Sequence, residues 1–266
     1  MNLHVKELID AGVHFGHQTN RWNPKMKKFI YGERSGVYII DLKQTMERLR
    51  IAYSFIRDLV ANGESVLFVG TKRQAMTLIE EEAKRCQMFY VNQRWLGGML
   101  TNLKTIRQSI VKLKKMDIAQ ADGTYDQLPK KEVLRLEKER GKLDRNLSGI
   151  RNMDILPGCL VITDTRIEQI AIMEANRLEI PLVAILDTNS DPEGVRYPIP
   201  GNDDAAKGIR LILSTLANAV IEGQQIKAKR REDLQAEAAA AVPQEILSDP
   251  APIGFEPGET IIAPPG

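Results

Sequence analysis

The chain has 266 residues, 43% hydrophobic and 27% charged, the make-up of a globular protein with enough chain for one large or two modest domains. Its net charge of +2 is unevenly spread: residues 232–266 hold seven acids and no Lys or Arg, leaving 37 basic and 28 acidic side chains in residues 1–231. Cys86 and Cys159 sit in apolar patterns without CxxC spacing, no run approaches a membrane span, and the opening MNLHVKELID lacks a signal-peptide core, so a disulfide framework, membrane insertion and secretion are not expected.

The first informative stretch is GVHFGH, residues 12–17, where His14 and His17 lie three apart in a glycine-flanked loop. Such a pair serves either as structural histidines or, with further ligands, as part of a divalent-ion site; His17, Asp187, Asp203 and Asp204 are the weak candidates. Next comes RWNPKMKKFIY, residues 21–31, with four cations and three aromatics around Pro24. Asn-Pro disfavours a regular helix across it. Uncompensated cations among stacking groups in irregular backbone suit structured RNA.

VYIIDL, residues 37–42, reads as a strand, and helical spacing follows over Gln44–Val60. SVLFVG, residues 65–70, is an apolar run of strand length, and a helix is predicted over Arg73–Cys86. Between them, Gly70-Thr71-Lys72 suggests a phosphate loop, but GxxxxGK[ST] spacing is absent, so a tight turn and helix cap is the better reading. Phe89–Val91 is a short strand. Then NQRWLGGMLTNLK, residues 92–104, sets Arg94 and Trp95 before a Gly97–Gly98 pair. This is either an exposed stacking face beside a phosphate-seeking fork or a buried Trp at a strand-to-helix corner.

Residues 101–150 break the alternation of strands and helices. Leu103, Ile106, Ile110 and Leu113 form one narrow apolar stripe, and Leu136, Leu143, Leu147 and Ile150 another, with a turn-rich stretch between. Narrow stripes with charged flanks predict a protruding antiparallel coiled-coil hairpin; an ordinary insertion packed on the sheet is the alternative. Thirteen basic and seven acidic residues fall in 104–151. Alternation then resumes with strands at 159–163 and 182–186 and helices over 168–178 and 203–222, where Asp203 looks like an N-cap. The expected body, residues 1–100 and 151–227, is a flavodoxin-like, doubly wound, mostly parallel α/β sheet. Residues 228–266 read as an acidic, Ala- and Pro-rich tail without regular structure beyond a few helical turns.

Four strings occur in order: AGVHFGHQTNRWNPKMKKFIYGERSGVYIIDL (11–42), LFVGTKRQA (67–75), VNQRWLGGMLTNLKTIRQSI (91–110) and IPLVAILDTNSDPEGVRYPIPGNDDA (180–205). Together they closely resemble the second protein of the bacterial-type small ribosomal subunit, over roughly residues 3–225, leaving the tail uncovered. The resemblance implies the same fold with its helical hairpin, a structural role without enzymatic activity, and no required cofactor, although a bound divalent ion is compatible. It implies small-subunit ribosomal RNA as partner, between head and body, and neighbouring ribosomal proteins including the large one that captures messenger RNA. No membrane contact and no homo-oligomer are expected. The location implied is the cytoplasm, within the ribosome, with the plastid stroma left open. The implied RNA contacts are Arg21, Trp22, Lys25, Lys27 and Lys28, then Arg94, Trp95, Lys104 and Arg107, with Lys112, Lys114, Lys115, Lys130 and Lys131 on the hairpin. The competing reading is an α/β nucleotide-binding protein or enzyme using the Gly70–Lys72 turn.

Overall fold

The first helix, α1 (Val5–Asp10), is followed by three short strands, β1 (Phe15–Gln18), β2 (Ile30–Arg34) and β3 (Val37–Ile40), in a computed structural model that describes residues 3–240. These strands form an antiparallel sheet in the order β1-β3-β2. Its hairpin turns at Ser35-Gly36, both with positive φ (54° and 75°), the backbone that lets a two-residue turn follow strand twist. Asp41, read from the sequence as part of a strand, instead caps the next helix by accepting the Lys43 N–H.

That helix, α2 (Leu42–Ala61), leads into the main sheet: β4 (Val66–Val69), α3 (Met76–Arg85) and β5 (Phe89–Val91). After the helices α4 (Leu103–Ala121) and α5 (Lys130–Leu147) come β6 (Cys159–Ile162), α6 (Gln169–Arg177), β7 (Leu182–Leu186), β8 (Tyr197–Pro200) and α7 (Ala206–Ala240). The five strands pair in parallel in the order β5-β4-β6-β7-β8. With β4 taken as the first strand of this sheet, the order is 2-1-3-4-5, the flavodoxin-like winding.

Period-two alternation along the buried strands divides the interior into two cores. Val66, Phe68, Cys159, Val161, Val183 and Ile185 join residues of α2, α3 and α7, including Leu49, Ile56, Ile79, Ile212 and Leu216. Leu67, Val69, Leu160, Ile162, Leu182 and Ala184 face the other way, with Trp95, Ile106, Ile110, Leu113, Leu147 and Ala171. Helices therefore cover both faces, as the continuous apolar runs predict.

Several boundaries differ from the sequence reading. Helix α3 begins at Met76 rather than Arg73, with Ala75 at its N-cap and no side-chain cap bond. Asp203 is not an N-cap: Asn202 Oδ1 accepts the N–H groups of Asp204 and Ala205, while Asp203 is buried. Helix α7 continues past Glu222 to Ala240, so the first part of the expected tail is helical, whereas residues 241–266 lie outside the described residues. The chain divides into two units, 1–228 and 229–266, and the geometry below belongs to the first. No described helix is long and apolar enough to cross a membrane.

Candidate nucleic-acid interface

The place to look first for a ligand is the carboxyl edge of the parallel sheet, where β4 and β6 flank the point at which strand order reverses. Gly70-Thr71-Lys72 leaves β4 there, and Thr163-Asp164-Thr165 leaves β6. Lys72 Nζ lies 2.7 Å from Asp203 Oδ1, 2.6 Å from Asp204 Oδ1 and 3.3 Å from Asp164 Oδ2. Burial works against its ammonium, but the hydrogen bonds to Asp203 and Asp204 outweigh that and raise its pKa above the usual lysine value. The Thr71 N–H, which a phosphate loop would aim at its anion, donates to the buried Glu168 at 2.6 Å. Thr71 is thus not the helix cap expected from the sequence. The crevice that could have held a phosphate is filled by the protein's own carboxylates.

His17 completes this network. Its Nδ1 is 3.0 Å from Asp187 Oδ1 and its Nε2 is 3.5 Å from Asp204 Oδ2. The Asp187 bond is the main cause raising its pKa above 6.5. Ligand atoms of His17, Asp187 and Asp203 lie within 4.8 Å of one another, a donor set of the chemistry a divalent ion takes. Asp203 is pushed up to about 7 by burial and then by Asp164 and Asp187, with Lys72 acting against them. His14 stands apart from the cluster, ring to ring with Phe15 at 4.0 Å.

The basic-aromatic segment is more ordered than its sequence suggests. Pro24 opens a 3-10 helix, Pro24–Phe29, whose Met26 and Phe29 are buried. Periodicity then sends Lys25, Lys27 and Lys28 outward, all exposed. Contrary to expectation, one of the four cations is compensated: Lys25 Nζ lies 2.9 Å from Asp191 and 2.7 Å from Glu193. Lys28 lies 4.9 Å from the Phe29 ring centre. Among the described residues, Arg21 and Lys27 have no side-chain hydrogen bond or ion pair. Trp22 is half-buried beside Tyr38, ring centres 5.2 Å apart.

The Trp95 loop resolves toward packing. Trp95 is buried with 7% exposure and donates Nε1–H to Glu174 Oε1 at 3.1 Å. The same carboxylate accepts the N–H groups of Gly98, Leu100 and Thr101 and the Thr101 hydroxyl, at 2.7–3.0 Å. Burial opposes the charge, but these donors hold the Glu174 pKa below the ordinary carboxylate value. Gly98, with φ +86°, lets the chain fold around the acid. Arg94, on the outer side, is exposed and, among the described residues, without a side-chain partner. Nothing in the sequence links Glu174 to this loop, because the two lie 73–79 residues apart.

On α4 and α5 the expected cations divide. Lys112 is ion-paired with Glu139, and Arg107 lies 3.9 Å from Asp154. Lys104, Lys114, Lys115, Lys130 and Lys131 are exposed, with no side-chain partner among the described residues. Asp117 joins Arg140 and Arg151, each at 3.0 Å. The sequence reading also missed Arg166, an exposed residue just beyond β6 that lines a cavity with Arg21 and Trp22. Its position after a strand's carboxyl end was the available signal.

The body is doubly wound, its usual ligand crevice is occupied by its own side chains, and the cations that lack side-chain partners among the described residues lie on peripheral loops and helices. Residues 8–223 match the family described as ribosomal protein S2, so the chain belongs to that family of structural, non-enzymatic constituents of the small ribosomal subunit. The "Small ribosomal subunit protein uS2" of Koribacter versatilis (strain Ellin345) is 54% identical over 250 residues, covering 93% of this chain and 83% of that protein. The protein of the same name from Syntrophobacter fumaroxidans (strain DSM 10017 / MPOB) is 57% identical, covering 84% of this chain and 81% of its own length. That from Geotalea uraniireducens (strain Rf4) is 52% identical, covering 94% and 98%.

Proposed function

We propose that this chain holds small-subunit ribosomal RNA through its peripheral cations, clamping elements between head and body and supporting the docking of the ribosomal protein that captures messenger RNA. The observation that carries this is the contrast between the two kinds of cation. Lys72, at the switch point, is saturated by Asp164, Asp203 and Asp204. Arg21, Lys27, Arg94, Lys104, Lys114, Lys115, Lys130 and Lys131, among the described residues, spend no charge on internal partners.

Phosphates neutralised by such side chains release counterions, so association falls steeply with salt. Selectivity in this reading comes from RNA shape more than from base edges. The helices α4 and α5 are read as a coiled-coil arm that extends the reach of the body. No cofactor is needed, and a divalent ion at His17, Asp187 and Asp203 is compatible with the reading. The cellular location that follows is the cytoplasm, within the ribosome. The competing nucleotide-binding reading loses its anion site, since a phosphate at Gly70–Lys72 would meet carboxylates instead of free N–H groups.

The test is reconstitution into small subunits lacking this protein, followed by sedimentation at low salt. K27E/K28E should lose co-sedimentation while keeping the wild-type unfolding midpoint, whereas K25A should retain it, because Lys25 is already engaged. Wild-type incorporation by K27E/K28E would remove the segment from the RNA surface.

A further inference from the structure

Two guanidinium groups that the sequence places 145 residues apart meet at one cavity. Arg21, Trp22, Asn23 and Pro24 form one wall, and Arg166 and Asn189 the other, around about 550 Å³. That lies within the size range of small-ligand sites. Resting on the RNA-binding reading above, we propose that this cavity takes one unstacked nucleotide of the RNA, its flanking phosphates on Arg21 and Arg166 and its base against Trp22.

Both walls are fixed before any ligand arrives. The Asn23 N–H donates to the Thr188 carbonyl at 2.8 Å, tying the loop to the chain just past β7. Asn23 Oδ1 accepts the Lys25 N–H at 3.0 Å, and Pro24 sets the backbone that follows. Opposite, Asp164 Oδ1 accepts the N–H groups of Arg166 at 2.8 Å and Ile167 at 3.2 Å, so Arg166 leaves β6 from a pinned turn. Preorganised walls lower the ordering entropy that a bound nucleotide would otherwise oppose.

The charge and shape suit a nucleotide. Neither guanidinium has a side-chain partner among the described residues, and the planar fork matches phosphate oxygens. Two acids, Asp191 and Glu193, line an adjoining cavity together with Arg166 and are ion-paired with Lys25, while Asp164 is buried and engaged by Lys72. Trp22 packs against Tyr38 while also lining the cavity, which gives a base an aromatic surface. Asn189 also lines the cavity and brings a carboxamide, donor and acceptor, to its wall, its Oδ1 accepting the Ser190 hydroxyl at 3.5 Å.

The experiment compares wild type, R21A/R166A, R166K and K27E/K28E as full chains reassembled into small subunits. Affinity is read against salt, and ultraviolet cross-links are mapped by mass spectrometry. Wild type should give a nucleotide cross-link on the peptide containing Trp22. R21A/R166A should lose that cross-link, bind about tenfold more weakly and lower the salt slope by about 1.4, the value for two phosphates of a single strand. Its unfolding midpoint should match wild type, since neither side chain has an internal partner. R166K should keep most of the slope and bind more weakly than wild type, the charge being retained without the fork. If R21A/R166A keeps slope and cross-link while K27E/K28E fails to bind, the cavity is not the site and the wider RNA reading stands. A Trp22 cross-link to a neighbouring protein in place of a nucleotide would also overturn the proposal. Failure of wild type itself to bind would sink both.

Discussion

Glu174 stands at the centre of the most demanding piece of local chemistry in the body. Both of its oxygens are saturated by donors: Trp95 Nε1–H and the Gly98 N–H on one, the Leu100 and Thr101 N–H groups and the Thr101 hydroxyl on the other. An amide cannot replace it, since its NH₂ would face donors on either side. E174Q should therefore lower stability by about 3 kcal/mol, because buried donors lose their acceptor. A denaturant midpoint equal to wild type would show that the loop is held by packing alone. NQRWLGGM allowed a buried Trp95 at a strand-to-helix corner beside an exposed stacking surface, but nothing in it pointed to the distant acid that holds the ring inside.

The strand-end cluster makes a pH prediction at the same scale. Burial raises Asp203 from an ordinary 3.8 to about 7, so between those values the folded protein holds a proton that the unfolded chain has released. Stability accordingly falls as pH rises across that window. His17, raised above 6.5 mainly by its bond to Asp187, acts in the same sense: its contribution is complete below 6.5 and is lost as pH climbs through the folded value. Unfolding free energy should thus decline from about pH 4 to about pH 7, and D203N should flatten the decline by on the order of 4 kcal/mol. An unchanged slope in D203N would mean that Asp203 titrates normally.

At the scale of elements, what could be read from the sequence follows from how each strand is buried. Val66–Val69, Cys159–Ile162 and Leu182–Leu186 are buried along their whole length, so their apolar runs are unmistakable. β1 and β2 have mixed exposure, and their pairings with β3 are irregular, leaving no clean alternation to detect. β8 contains Pro198 and Pro200, which argue against a central strand, and it pairs only with β7, at the sheet edge. On α4 the apolar stripe Ile106, Ile110 and Leu113 is buried in one core with the sheet residues Leu67, Val69, Leu160 and Ile162, the packing named as the alternative to a hairpin seam. L113A should cost about 3 kcal/mol, as a fully buried leucine does. By contrast, K114E/K115E should change the unfolding free energy by less than about 0.5 kcal/mol, both residues being exposed. It should still weaken subunit binding. If K114E/K115E binds as wild type does, the helix is a packing element and not an RNA-reaching one.

At the scale of the whole molecule, charge and core are separable. Among the described residues, the buried apolar side chains reach no further along the chain than Val220, and the family match ends at residue 223. Residues 232–266 supply seven acids and no Lys or Arg, so a chain ending at Arg231 carries 37 basic against 28 acidic side chains in place of a net +2. Such a truncation should leave the unfolding midpoint of the body unchanged, because among the described residues it removes no buried apolar side chain. Its effect should fall on association with polyanions, where excess positive charge raises non-specific affinity and encounter rate at low ionic strength. The truncated chain should therefore bind unrelated RNA more tightly at low salt than the full chain does. Near physiological salt, where the Debye length is about 8 Å, incorporation into small subunits should be equal for the two. Filter binding against an unrelated RNA and sedimentation with subunits measure the two quantities independently. Loss of incorporation on truncation would make the extension a docking element; no gain in non-specific binding would mean that its acids do not screen the basic surface.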